Sequence, residues 1–109
     1  MKKIMAVYDA DSRYADRLAE FVNQRSQVPF QVVAFTSLEK LKEFAAREKI
    51  DLLLAGSGVE KEQLDGIPAA QVVWLSENGV AEEGEAVVYK YQASDDLLRE
   101  VMSWYRPQE

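Results

Sequence analysis

Cysteine and histidine are both absent from this chain of 109 residues. Their absence removes disulfides, thiolate and imidazole nucleophiles, the usual zinc ligands and the commonest general base. Any catalysis would rest on carboxylates, hydroxyls or lysines. Positive charge is also in short supply: 13 basic side chains stand against 19 acidic ones, a net charge of -6. That balance repels a phosphate backbone, so nucleic acid is not an expected partner. No apolar run approaches the ~20 residues that span a bilayer. The apolar run after Lys2 and Lys3 meets Asp9 too soon for a secretory signal. A cytoplasmic chain without membrane insertion is expected.

What is present is a globular balance, 48% hydrophobic and 29% charged, with no internal repeat and no low-complexity tract. The length suits one domain, expected over residues 1–106, with 107–109 as a tail or the start of a linker. The stretch 50–58, Ile-Asp-Leu-Leu-Leu-Ala-Gly-Ser-Gly, has the short, unbroken apolar middle of a strand buried on both faces of a parallel sheet. Residues 3–8 and 30–35 read as strands one and two, 71–75 as strand four and 86–91 as strand five.

Between the strands lie helical patterns. Tyr14, Leu18, Phe21 and Val22 recur at helical spacing after the capping segment Asp9-Ala10-Asp11-Ser12. Thr36 and Glu39 predict a capping box for a helix carrying Leu38, Leu41, Phe44 and Ala45. Residues 59–64 allow only a short helix before Asp65-Gly66-Ile67-Pro68, and Ser94, Asp95 and Asp96 predict the start of the last one. Residues 77–85 offer only Val80 and Ala81 as apolar positions, so a crossover helix there is missing or vestigial. This order predicts a doubly wound α/β fold, a five-stranded parallel sheet with helices on both faces, lacking its fourth helix. Asn78-Gly79 keeps an antiparallel pairing of strands four and five open.

In an open parallel sheet the chemistry lies beyond the carboxyl ends of the strands. Strand three delivers only Gly56, Ser57 and Gly58 there, while Asp9 and Asp11 follow strand one, Ser76 follows strand four and Lys90 lies at the end of strand five. The commonplace roles of these residues are helix capping and solvated charge for Asp9 and Asp11, and a strand-end hydrogen bond and an exposed amine for Ser76 and Lys90. Nothing in the sequence supplies Ser57 with a base. Gly56-Ser57-Gly58 with Lys61 lacks the Gly-Lys-Ser/Thr ending of a triphosphate loop and the third glycine of a dinucleotide fingerprint, and Asp9 and Asp11 disfavour a flavin phosphate.

Taken together, nearly the whole chain resembles the receiver domains of two-component signalling response regulators. In that family an acidic pair ends strand one, a phosphoacceptor aspartate ends strand three, a Ser or Thr ends strand four and a lysine ends strand five. The resemblance places Asp9 at the second acidic position, Ser76 at the hydroxyl and Lys90 at the lysine; Tyr8 replaces the first acid, Gly56 the phosphoacceptor, and Tyr91 the usual proline after the lysine. It therefore implies a flavodoxin-like (CheY-like) fold with strand order 2-1-3-4-5, and an atypical receiver whose remnant pocket is Asp9, Asp11, Gly56, Ser76 and Lys90. With the acceptor carboxylate gone, no catalytic residue and no cofactor is expected; Asp9 and Asp11 are the candidate Mg2+ ligands.

The expected role is that of a phosphorylation-independent module, not an enzyme, that binds a protein partner or self-associates as a dimer. The expected surface is the strand-five and last-helix flank: Val88, Tyr89, Tyr91, Trp104 and Tyr105. The alternative is an active receiver that takes a phosphoryl group on Asp9, Asp11 or Ser57. The Tyr-Lys-Tyr-Gln-x-Ser run before the last helix, with the lost fourth helix, is similar to the amino-terminal domain of the TadZ and CpaE type of MinD/ParA-like ATPase, which positions pilus-assembly or division machinery. That similarity implies a fragment whose ATPase domain would follow Pro107.

Overall fold

A computed structural model describes residues 3–25, 29–78 and 86–106. Its strands are β1 (Lys3–Tyr8), β2 (Phe30–Phe35), β3 (Leu52–Ala55), β4 (Val72–Ser76) and β5 (Val87–Tyr89). The helices are α1 (Ser12–Asn23), α2 (Leu38–Arg47), α3 (Lys61–Leu64) and α4 (Ser94–Trp104). The strands form one sheet in the order β2-β1-β3-β4-β5, parallel throughout. This is the flavodoxin-like, CheY-like arrangement expected from the sequence. The hairpin alternative is excluded, since Trp74 pairs with Val87 and Ser76 with Tyr89 in parallel register. Among the described residues no helix lies between β4 and β5; residues 79–85 of the expected gap lie outside them, as do 107–109.

Alternation along the strands builds two cores. Met5, Val7, Leu52, Leu54, Val73, Leu75 and Val88 face Leu18 and Val22 of α1 and Leu97 and Val101 of α4. Ala6, Leu53 and Ala55 belong to the other cluster, with Leu41 and Ala45 of α2. Full burial of each Leu or Val contributes about 1.5–3 kcal/mol, and all four residues of β3 are buried. The central strand is thus held from both sides, and its carboxyl end is fixed in space.

Local signals set the helix starts. Asp11 caps α1, its Oδ1 accepting from the N–H groups of Arg13 at 3.0 Å and Tyr14 at 3.2 Å. Two expected caps are shifted. Ser37, not Thr36, caps α2, with its Oγ accepting from Lys40 N–H. β2 runs on through Phe35, whose carbonyl still accepts from Asp9 N–H, so the helix begins one residue later. Ser94 lies inside α4, which starts after Ala93 with no side-chain cap; Asp95 and Asp96 support it through the helix dipole instead.

The free edge of β2 is partly closed by Asn23, whose side-chain amide accepts from Val32 N–H at 2.9 Å and donates to Val32 O at 3.0 Å. No helix among the described residues is long and apolar enough to cross a membrane.

Candidate functional site

Four elements converge where the family-like pocket was expected. Asp9 follows β1, Gly56 and Ser57 follow β3, Lys90 follows β5, and Tyr14 belongs to the first turn of α1. Lys90 Nζ lies 2.7 Å from Asp9 Oδ2, and the two side chains are 2% and 0% exposed. The ammonium also donates to Ser57 Oγ at 3.0 Å. It lies 4.4 Å from the centroid of the Tyr14 ring and 5.3 Å from that of Tyr91, close enough for cation–π attraction.

The carboxylate is equally engaged. Its Oδ2 accepts from Ser57 N–H at 3.1 Å and its Oδ1 from Asp11 N–H at 2.8 Å. Burying two charges costs several kcal/mol each unless they are paired and hydrogen-bonded, and this cluster meets both conditions. Two backbone contacts brace it: Gly56 N–H donates to Tyr8 O at 2.7 Å, and Ala10 N–H donates to Ser57 O at 2.9 Å. The Tyr14 hydroxyl donates to Lys90 O at 3.0 Å, tying α1 to the end of β5. Burial, chiefly, raises the Tyr14 phenol well above its ordinary range, and the Asp9 charge adds to the effect.

Gly56 is required by this arrangement. A Cβ at that position would lie 2.2 Å from Asp9 Oδ2 and 2.9 Å from Asp9 Cγ. The carboxylate of β1 thus fills the space that a side chain at the end of β3 would need. Gly58 is required separately: its φ is +91°, and a Cβ there would lie 2.8 Å from that of Ala10.

Of the expected pocket residues, the structure brings Asp9, Gly56 and Lys90 together and leaves two apart. Asp11 turns into its capping role, and the Ser76 hydroxyl donates to Asn78 Oδ1 at 2.7 Å. Lys90 is not an exposed amine and Asp9 is not a solvated charge, because each is buried on the other. Ser57 is a full member of the cluster. Its place beside Gly56 in the Gly-Ser-Gly turn was the available signal, and what could not be read from sequence is that Lys90 reaches across to it. On its other side Ser57 lines an open cleft of about 580 Å³, with Trp74, Ser76 and Val87.

The residues present do not fit a divalent cation. An ammonium occupies the inner oxygen of Asp9, Asp11 accepts backbone N–H groups, Tyr8 and Gly56 supply no carboxylate, and among the described residues no three acidic side chains converge.

The expected interaction surface also divides. Val88 and Tyr105 are buried in the core, where Tyr105 packs edge-on against Phe30, so neither can present a docking surface on the folded chain. Tyr89, Tyr91 and Trp104 are exposed. They do not form one patch. Tyr89 lies beside Ser76 at the carboxyl end of β4, whereas Trp104 is two residues from Arg106, whose N–H donates to Gln71 before the start of β4. Core packing, the commoner role for a terminal tryptophan, is not the role of Trp104.

No family model matches the chain, and comparison with curated proteins finds no significant relative. Among solved structures, a chain of the phosphorylated P1 domain of CheA3 in complex with CheY6 from R. sphaeroides is similar in fold. The TM-score is 0.66 at 23% identity, over 93% of this chain and 93% of that one.

Proposed function

We propose that this chain is a receiver-like regulatory domain that acts through protein contacts without being phosphorylated, and that it is not an enzyme. One observation carries the reading: the acceptor position is Gly56, and the space beside it is filled by Asp9, itself held by Lys90 and Ser57. A phosphoryl donor would meet a carboxylate that is desolvated, paired and turned inward. The fold neighbour, which comes from a complex of two proteins, supports a role in signalling or protein interaction. A place as the amino-terminal unit of a TadZ- or CpaE-type ATPase belongs to the same proposal, supported by the run Tyr89-Lys90-Tyr91-Gln92-Ala93-Ser94 at the start of α4.

The test is incubation with acetyl phosphate and Mg2+, followed by intact-mass measurement, with amide NMR in beryllofluoride alongside. The expected result is an unchanged mass and no saturable shifts at Asp9, Ser57 or Lys90. A gain of one phosphoryl group would restore the alternative reading, an active receiver with a non-standard acceptor.

A further inference from the structure

We infer that Tyr89 and Tyr91, flanked by Glu77 and Glu100, form a docking site for an arginine-bearing segment of a partner protein. The inference rests on the interaction-module reading above and supplies the chemistry of the partner. Tyr89 and Tyr91 are 41% and 57% exposed, and their rings meet edge to face with centroids 6.0 Å apart. Adjoining exposed tyrosines of this kind offer an apolar body with a polar tip, a surface suited to a partner.

The pair is held in place from both ends. The Tyr91 hydroxyl donates to Glu77 Oε2 at 3.2 Å. Gln92 Nε2 donates both to Tyr89 O and to Glu100 Oε2, each at 2.8 Å. The result is a continuous strip, Glu77–Tyr91–Tyr89–Gln92–Glu100, with a carboxylate at each end.

The charges on this strip are what select the partner. At the start of α4, Asp95 is paired with Arg25 at 2.7 Å and Asp96 with Arg99 at 3.2 Å. Glu77 and Glu100 accept only from neutral donors, and among the described residues neither has an ion-pair partner. The nearest cation to Tyr91, Lys90, is buried and committed to Asp9. Exposed tyrosine rings beside carboxylates that lack a counter-charge match a guanidinium, which stacks on an aromatic face and offers paired donors to a carboxylate. A lysine ammonium matches less well because it is compact and strongly hydrated. A phosphate-bearing partner is repelled by the same two glutamates.

The experiment is an amide NMR titration of the full chain with the peptide Gly-Arg-Gly-Arg-Gly and its two-lysine twin at matched ionic strength. Shifts should concentrate at Glu77, Tyr89, Tyr91 and Glu100, with the arginine peptide binding more tightly. Tyr89→Ser or Tyr91→Ser should each weaken binding by about 2- to 5-fold. Glu77→Gln with Glu100→Gln should weaken it further, while Glu43→Gln on α2 should leave it unchanged. Shifts spread evenly over the acidic surface, equal affinity for both peptides, or no shift at all would each overturn the assignment. Concentration-dependent shifts of the same residues without peptide would overturn it in favour of a second copy of this chain as occupant. If the peptides fail while the mass stays unphosphorylated, only this site is lost; phosphorylation would instead remove the reading beneath it.

Discussion

Replacing Gly56 by alanine adds one methyl group, and the structure assigns that methyl an unusually large effect. A glycine-to-alanine change in a tolerant backbone stabilises by about 0.4–1 kcal/mol through the unfolded state. Here the new Cβ would lie 2.2 Å from Asp9 Oδ2 and 2.9 Å from Tyr8 O. Comfortable separations are near ~3.5 Å, so the carboxylate must retreat by roughly 1 Å. Tyr8 O cannot follow, because it belongs to the β1–β3 ladder.

The retreat opens the 2.7 Å contact to Lys90 and the 3.1 Å bond from Ser57 N–H. Leaving a buried ammonium without its partner costs about 3–5 kcal/mol, against a total stability of about 5–15 kcal/mol for a domain. Urea unfolding followed by far-UV circular dichroism measures the loss. Asp9→Ala should cost about as much, for the same reason, but it also removes the larger of the two overlaps and leaves only the 2.9 Å approach to Tyr8 O. In the Asp9→Ala background the added methyl should then cost at least about 2 kcal/mol less than in the unaltered chain, the coupling that the double-mutant cycle reads. If the two losses simply add, or if Gly56→Ala alone is stabilising, Asp9 does not fill the Gly56 space as described.

Three further perturbations test the surroundings of this cluster. Burial raises the Tyr14 phenol above its ordinary 10.0, so the folded chain holds that proton more tightly than the unfolded one; stability should be intact below pH 10 and fall as pH rises above it. Tyr14→Phe should flatten that alkaline loss while costing about 0.5–1.5 kcal/mol at neutral pH for the lost bond to Lys90 O, as a pH series of urea midpoints would record. Asn23→Ala should free both backbone groups of Val32 on the β2 edge, and sedimentation should then show new association. Val88→Glu places a carboxylate in the core rather than on a surface; the expected outcome is loss of cooperative thermal unfolding, and a stably folded variant would contradict the packing of β5.

The sheet was legible because its strands are short apolar runs bounded by polar turns. β1 and β2 fall on the residues their patterns predict, the alternation of strand and helix predicts the parallel pairing, and the order 2-1-3-4-5 is the one the receiver resemblance implied. Caps were legible only to within a residue. Thr36 and Ser37 are chemically equivalent as caps, and only the extent of the β2 ladder decides between them. The exposure of β5 was misjudged for a similar reason: an edge strand still has a buried face, and alternation puts Val88 on it and Tyr89 off it.

The site was harder to read. Position by position, Tyr8 and Gly56 look like losses from a receiver pocket and Asp9 and Lys90 like remnants of it, a pattern that suggests an empty site. Only the distances show that the carboxylate of Asp9 has taken the room released by Gly56 and drawn Lys90 and Ser57 around it. No local pattern encodes that, since the partners are separated by 48 and 81 positions in the chain.

The same energetics bear on whether Asp9 could ever accept a phosphoryl group. To attack the phosphorus of a donor, the carboxylate must first leave Lys90 and reach solvent. Opening a buried pair costs about 3–5 kcal/mol, and every 1.4 kcal/mol is a factor of ten in population, so the competent form would be about one molecule in 10² to 10⁴. Nothing at the site repays this opening, because the binding of a donor's Mg2+ would compete with an ammonium already at 2.7 Å. Here the lysine already has an internal anion, and that contact fixes the end of β5, from which Tyr89 and Tyr91 project. The interaction strip is therefore held by a charge pair that the chain supplies itself, so its presentation should not depend on any phosphoryl donor.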